Sequence, residues 1–325
     1  MTAKKTEIIK AIEKARNVLV CGHIRPDGDC VGSAMFMRRL CEKFGKNADA
    51  VCDAEKPESF GFLPQYEFFC APRFKKYDLI IAVDCATDKR LGEYCGYLAS
   101  ADKSINIDHH PTNNEYADIN VIDGSACSTC AILYKLFCDE TLNGERLIDA
   151  EMAAMLYTGL STDTGNFMHS NTTAEVFDIA HELCAIGVDV ASLAHEIYCN
   201  KSFKKIKLTA RVLDGIILYE EGKIALMYIG LDDLNACGCK TEDTEGLIDY
   251  ASSISGVQIS IAICEQKGNL YRVSFRSVSA DVAAAAGTFG GGGHKLAAGC
   301  VLSGNRYDVT DKILSAAKAA LCKTL

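Results

Sequence analysis

Three short runs do most to limit what this chain can fold into: "NVLVCGH" (17–23), "YDLIIAVDC" (77–85) and "KSINIDHH" (103–110). Each is apolar almost throughout. A strand with one wet face would alternate apolar and polar residues, so these runs call for a sheet covered on both faces. Helix-patterned stretches flank the first of them, "TEIIKAIEKA" before it and "GSAMFMRRLCEKFG" after it, and shorter strands at "ADAVCD" and "YADINVID" continue the alternation. Strand and helix in turn indicate a mainly parallel sheet with helices on both faces. Further helices are expected around "STCAILYKLFCDE", "DAEMAAMLYTGL" and "TTAEVFDIAHELCAIG"; in the last, Thr172 and Glu175 stand at capping-box spacing.

The pattern changes near Gly215. "IILYE", "KIALMYIG", "VQISIAICEQ" and "LYRVSFRS" read as strands, and "TEGLIDYASSIS" and "DVAAAAGTF" as helices. "GGGGHKLAAG" and a closing helix, "TDKILSAAKAAL", follow. Just upstream, "NKSFKKIKLTAR" is basic and helix-patterned, with no strand signal. The expectation is an α/β protein of two domains. Residues 1–190 form the parallel-sheet domain, 191–214 a helical linker, and 215–325 a smaller α/β domain with a mixed sheet.

The chain has 325 residues, about half of them apolar, enough to build two cores. No run approaches the ~20 apolar residues of a membrane span. The opening "MTAKKTEIIKAIEKARN" is charged and helix-patterned, so a cytoplasmic protein without membrane attachment is expected. The 17 cysteines are scattered. Cys127 and Cys130 form a CxxC and Cys237 and Cys239 a CxC, with no second pair at zinc-site spacing, which favours reduced thiols in a reducing cytosol. A net charge of −9 argues against a protein that coats long duplex nucleic acid. A small anionic substrate remains compatible if a few local groups supply positive charge.

Acids and histidines recur where a parallel sheet places its ligands, at the carboxyl ends of strands. "CGHIRPDGDCVGSA" brings His23, Asp27 and Asp29; "IIAVDCATDKR" brings Asp84; "INIDHH" brings Asp108, His109 and His110; "TGLSTDTGNF" brings Asp163. Any one of them alone could be a turn or capping residue. Acidic groups from four motifs converging on one edge would repel one another unless cations sat between them. Mixed Asp and His donors suit Mn²⁺, Fe²⁺, Co²⁺ or Zn²⁺, and there are enough for two ions.

These four motifs, in this order, resemble those of the DHH phosphoesterase family, and "GGGGHKLAAG" is similar to the glycine-rich motif of the DHHA1 domain. The resemblance spans essentially the whole chain and is nearest to the stand-alone, RecJ-like type that includes nanoRNases and 3′-phosphoadenosine-5′-phosphate (pAp) phosphatases. By position it implies that His23 and Asp27 hold one divalent cation, that Asp29, His109 and Asp163 hold a second, and that Asp84 bridges both. Mn²⁺ is the expected ion, with Mg²⁺, Co²⁺ or Fe²⁺ also allowed. His110 would face the substrate phosphate, with Asp108 orienting the pair of histidines. In the second domain Arg276, Gly290, Gly291, Gly292, Gly293, His294 and Lys295 would grip the nucleotide. The implied activity is hydrolysis of short oligoribonucleotides to mononucleotides and of pAp to AMP, by metal-activated water. A cyclic-dinucleotide or pApA phosphodiesterase would use the same edge, and a non-catalytic nucleotide- or RNA-binding module is the alternative from another class. The partners are short RNA or nucleotides, and a homodimer is allowed.

Overall fold

The computed structural model describes residues 2–53 and 57–323. The chain divides into two compact units, Met1–Asn200 and Lys201–Leu325. The division falls within the stretch expected to link the domains.

The first unit runs Thr2–Lys14 (α1), Asn17–Cys21 (β1), Gly28–Lys43 (α2), Asn47–Val51 (β2), Leu79–Val83 (β3), Cys95–Leu98 (α3), Lys103–Asp108 (β4) and Ile119–Ile122 (β5). It continues with Thr129–Phe137 (α4), a small hairpin of Thr141–Leu142 (β6) and Glu145–Arg146 (β7), Ala150–Asp163 (α5), Ala174–Ile186 (α6) and Val190–Ala194 (α7). Five strands form one parallel sheet in the order β2-β1-β3-β4-β5. Its three central strands are β1, β3 and β4, which are the three apolar runs. Val18, Val20, Ile81, Val83, Ile105 and Ile107 face the main core, against the buried residues of α1, α2, α4 and α5. Leu19, Cys21, Ile80 and Ala82 face a second core closed by Tyr77, Leu91 and Tyr94. The run-on apolar character of these strands is therefore the signature of burial on both sides.

The chain leaves β1 for β2 on one side and returns to β3 on the other, so the strand order reverses at β1 and β3. Crevices for ligands open at such a reversal. Two glycines let α2 and α5 come close beside it. A Cβ at Gly32 would fall 2.4 Å from the Met155 carbonyl oxygen, and one at Gly159 would fall 2.4 Å from Asp29 Oδ1 and Cys130 Sγ. The expected capping box before α6 does not form. The N-cap is Thr173, without a side-chain capping hydrogen bond, and Glu175 is drawn instead to Lys135 of α4, at 3.3 Å.

The second unit comprises Phe203–Asp214 (α8), Ile217–Tyr219 (β8), Ile224–Ile229 (β9), Leu231–Cys237 (α9), Leu247–Ser252 (α10), Ile259–Gln266 (β10), Leu270–Ser277 (β11), Val282–Gly287 (α11), Gly292–His294 (β12), Ala297–Ser303 (β13) and Arg306–Cys322 (α12). Its sheet has the order β12-β13-β11-β10-β9-β8, with β9 and β10 parallel and the other pairs antiparallel. One face packs on α11 and α12. The other is covered over β9 and β10 by α8 and α10, with Leu208 and Val212 of α8 buried in that core. All 17 cysteines are free thiols. Among the described residues no helix is long and apolar enough to cross a membrane.

Candidate active site

Each acidic or imidazole group reaches the edge for a local reason. His23 follows β1, Asp84 follows β3, and His109 and His110 follow β4, so three adjacent strands deliver them side by side. Asp27 is the N-cap of α2, accepting from Cys30 N at 3.1 Å. Asp29 lies in the first turn of α2 and is fully buried. Gly28 allows α2 to start against α5, since a Cβ there would fall 2.5 Å from Thr162. Asp163, the last residue of α5, is thereby brought to the same place.

The distances describe two overlapping groups. His23 Nε2 lies 3.3 Å from Asp84 Oδ2 and 3.8 Å from Asp27 Oδ1. His109 Nε2 lies 3.5 Å from Asp84 Oδ1 and 3.3 Å from Asp163 Oδ2. Donor atoms of Asp29, His109 and Asp163 all fall within 4.8 Å of one another, and so do those of Asp84, His109 and His110. His23 Nδ1 donates to the Ile24 carbonyl at 2.9 Å, and His109 Nδ1 to that of Ala126 at 3.4 Å. A ring held in this way turns Nε2 toward the cluster and, once neutral, would offer its lone pair there, the arrangement metal-ligating histidines use. His110 is held differently: its Nδ1 donates to Asp108 Oδ1 at 2.7 Å, and Asp108 is fully buried.

Burial together with repulsion from Asp84 pushes the Asp29 carboxyl up to about 7. Burial together with Asp29, Asp27 and Asp84 raises Asp163 well above the usual carboxylate range. Burial opposes charge on His23 and His110. Cys30, Asp27 and Asp84 outweigh it at His23, and Asp108 and Asp84 do so at His110, so both imidazoles are raised. A divalent cation would stabilise such carboxylates in charged form and would take the place of a proton on an Nε2 among them. The donor set fits such ions.

Sequence reasoning missed several supporting groups. Asp29 Oδ2 accepts from Thr129 N at 2.6 Å and Oδ1 from Cys130 N at 2.9 Å, so this carboxylate also caps the start of α4. Thr129 Oγ1 donates to Asp84 Oδ1 at 3.2 Å. Asn113 Nδ2 donates to Asp108 Oδ2 at 2.6 Å and to Asn106 Oδ1 at 2.7 Å. The only advance signal was polar residues at a helix start and just after "DHH". Cys30 Sγ falls within 4.8 Å of donor atoms of His23 and Asp84.

In the second unit, His294, Ala297 and Arg276 share one register row across β12, β13 and β11. Residues in a row project to the same side of a sheet. His294 and Arg276 are exposed, and Val301, four rows on along β13 and on the same side, is 50% exposed, so this side is open along β12 and β13. Lys295 sits in the hairpin turn and lines a cavity with Asp281, Thr288 and Lys323. The glycine run is not a free loop. A Cβ at Gly291 would fall 2.2 Å from the Gly299 carbonyl oxygen and one at Gly293 2.5 Å from that of Ala297, so these two glycines let β12 pack onto β13. Gly290 has φ +74° and Gly292 opens β12.

The DHH family, N-terminal domain, matches residues 17–160, ending just before Asp163, and the DHHA1 domain matches residues 222–323. The chain is 28% identical over 319 residues to the bifunctional oligoribonuclease and PAP phosphatase NrnA of Bacillus subtilis (strain 168), covering 98% of this chain and 99% of that protein. It is 30% identical over 325 residues to the protein of the same name from Thermus thermophilus, covering 98% and 93%. The crystal structure of an exopolyphosphatase-related protein from Bacteroides fragilis shares the fold, with a TM-score of 0.91 at 24% identity over 98% of this chain and 96% of the other. Four motifs meeting at one sheet edge, both domain matches and relatives alike over nearly their whole length lead to one conclusion: the chain belongs to the DHH–DHHA1 family of phosphoester hydrolases.

Proposed function

We propose that this chain hydrolyses short oligoribonucleotides to mononucleotides, and pAp to AMP, at the carboxyl edge of β1, β3 and β4 with two divalent cations. The observation that carries the proposal is the position of Asp84, 3.3 Å from His23 and 3.5 Å from His109, shared by two donor groups. His23 and Asp27 would hold one ion, Asp29, His109 and Asp163 the other, and Asp84 both. Carboxylate mixed with imidazole favours Mn²⁺, with Co²⁺ and Fe²⁺ close to it and Mg²⁺ behind. When bound, such ions lower the pKa of water towards neutrality and offset phosphate charge. The names of the full-length relatives support the choice of substrates.

The remaining work falls to the chain's own groups. His110, held by Asp108 and drawn by it toward the charged form, is suited to donate a hydrogen bond to a phosphoryl oxygen. Asp108 fixes that ring and Asn113 fixes Asp108. The α4 amides hold Asp29 in one orientation and leave its other lone pairs available. Arg276 offers a planar fork for a terminal phosphate, with His294 on the same side of its sheet. So few cationic groups suit a substrate of a few nucleotides in the cytoplasm, and the net charge of −9 disfavours long duplexes.

The test is a Mn²⁺-supplemented panel of pAp, a dinucleotide, a five-nucleotide RNA, linear pApA and cyclic di-AMP, with products resolved by chromatography. Mononucleotides from RNA together with AMP from pAp are expected. Preference for pApA or cyclic di-AMP would replace the proposal with dinucleotide turnover. Bound metal with no hydrolysis at all would replace it with a nucleotide-binding module.

A further inference from the structure

Cys30 has no part in that hydrolysis, yet the strand end is shaped around it. It directly follows Asp29 in the first turn of α2 and is fully buried. A Cβ at Gly22 would fall 2.4 Å from its Sγ, so only glycine lets the end of β1 pass this close to the sulfur. The His23 backbone N–H donates to Sγ at 3.2 Å, the kind of hydrogen bond that supports a metal-bound thiolate. Sγ, an imidazole nitrogen of His23 and a carboxylate oxygen of Asp84 all lie within 4.8 Å of one another.

We propose that His23, Cys30 and Asp84 form a thiolate-containing site that takes thiophilic divalent cations, Zn²⁺, Cd²⁺ or Co²⁺, in preference to Mn²⁺ or Mg²⁺. The proposal rests on the same cluster as the hydrolytic reading, because His23 and Asp84 serve both. Binding breaks the S–H bond and forms a sulfur–metal bond; the proton goes to solvent and no electron changes hands. The sulfur is the selective element, since soft donors hold Zn²⁺ and its kin while Mn²⁺ finds its donors among carboxylates and imidazoles. A thiophilic ion therefore competes with Mn²⁺ for His23 and Asp84, and this strand end decides which metal the protein keeps.

Cobalt gives a readout without any substrate. Co²⁺ added to the metal-stripped full chain should produce a near-ultraviolet sulfur-to-cobalt charge-transfer band. Zn²⁺ should bleach it, and excess Mn²⁺ should not. The band should be absent from Cys30→Ser and present in Cys85→Ser and Cys130→Ser. Competition titrations with a chromophoric chelator should show tightest-site Zn²⁺ affinity about tenfold or more weaker in Cys30→Ser, with Mn²⁺ affinity nearly unchanged. No band in the native chain, or a band that survives Cys30→Ser, overturns the proposal. If Cys30→Ser does not fold, Cys30→Ala takes its place, and selective bleaching in the native chain by Zn²⁺ over Mn²⁺ decides. A missing band counts against this site alone, and missing hydrolysis against the proposed function alone.

Discussion

Asp84 holds a backbone conformation that L-residues rarely adopt, with φ +53°, while its N–H is fixed by the Ile107 carbonyl at 3.0 Å. Aspartate and asparagine tolerate that region better than most residues. Asp84→Asn should therefore keep the turn and lose the shared charge. Phosphoester hydrolysis is expected to fall by about 10³-fold with the melting temperature little changed, as turnover assays and thermal unfolding will show. Asp108→Ala removes the acceptor that fixes His110 and draws it toward its charged form. Steady-state kinetics should show kcat down by about 10–100-fold, and an unaltered kcat would mean His110 needs no orienting partner. The strand-end donors were legible because each stands where an apolar run stops. Cys30, Thr129 and Asn113 were not. One cysteine among 17 carries no contrast, and the other two act through helix starts and turns whose orientation appears only after folding.

Between elements, the tight spot is the contact of α2 with α5. Gly159 faces Asp29 and Cys130 so closely that Gly159→Ala should destabilise the protein by about 1–3 kcal/mol in urea denaturation. The strands have their own anchor. Asp78, just before β3, accepts from Asn17 N at 2.9 Å and Arg16 N at 2.8 Å, and those two bonds hold its carboxyl below the usual range. A carboxyl lowered by folding stabilises the protein above its unfolded value near ~3.9, and that contribution fades as pH falls through the folded value. The loss of stability in Asp78→Asn should accordingly be largest near neutral pH and shrink below about pH 4, measured by denaturant unfolding across pH. Strand and helix periodicities were readable because burial on two faces dictates them. The packing role of the glycine run was not: four glycines carry no strand pattern, yet Gly291 and Gly293 serve the β12–β13 hairpin, a demand set by the close approach of the two strands.

At the scale of the whole molecule, the chain forms two units with separate cores, and the proposed function assigns chemistry to the first and grip to the second. The sequence changes pattern near Gly215, and α8, so basic a stretch, was expected to be a linker. Its apolar residues Leu208 and Val212 are nevertheless part of the second core, which only tertiary packing reveals. If the second unit mainly grips substrate, Arg276→Ala should raise KM for pAp about tenfold and leave kcat within a few-fold. A fall in kcat at constant KM would instead assign Arg276 to the chemical step.

The most direct test of the central claim is to strip the protein of metal and titrate Mn²⁺ back, following bound ions and pAp hydrolysis in the same sample. Two ions per chain, with AMP release returning as the pair fills and absent from Asp84→Asn, is the expected result. Hydrolysis that persists in the stripped protein, or a filled site that releases no AMP, would contradict the account.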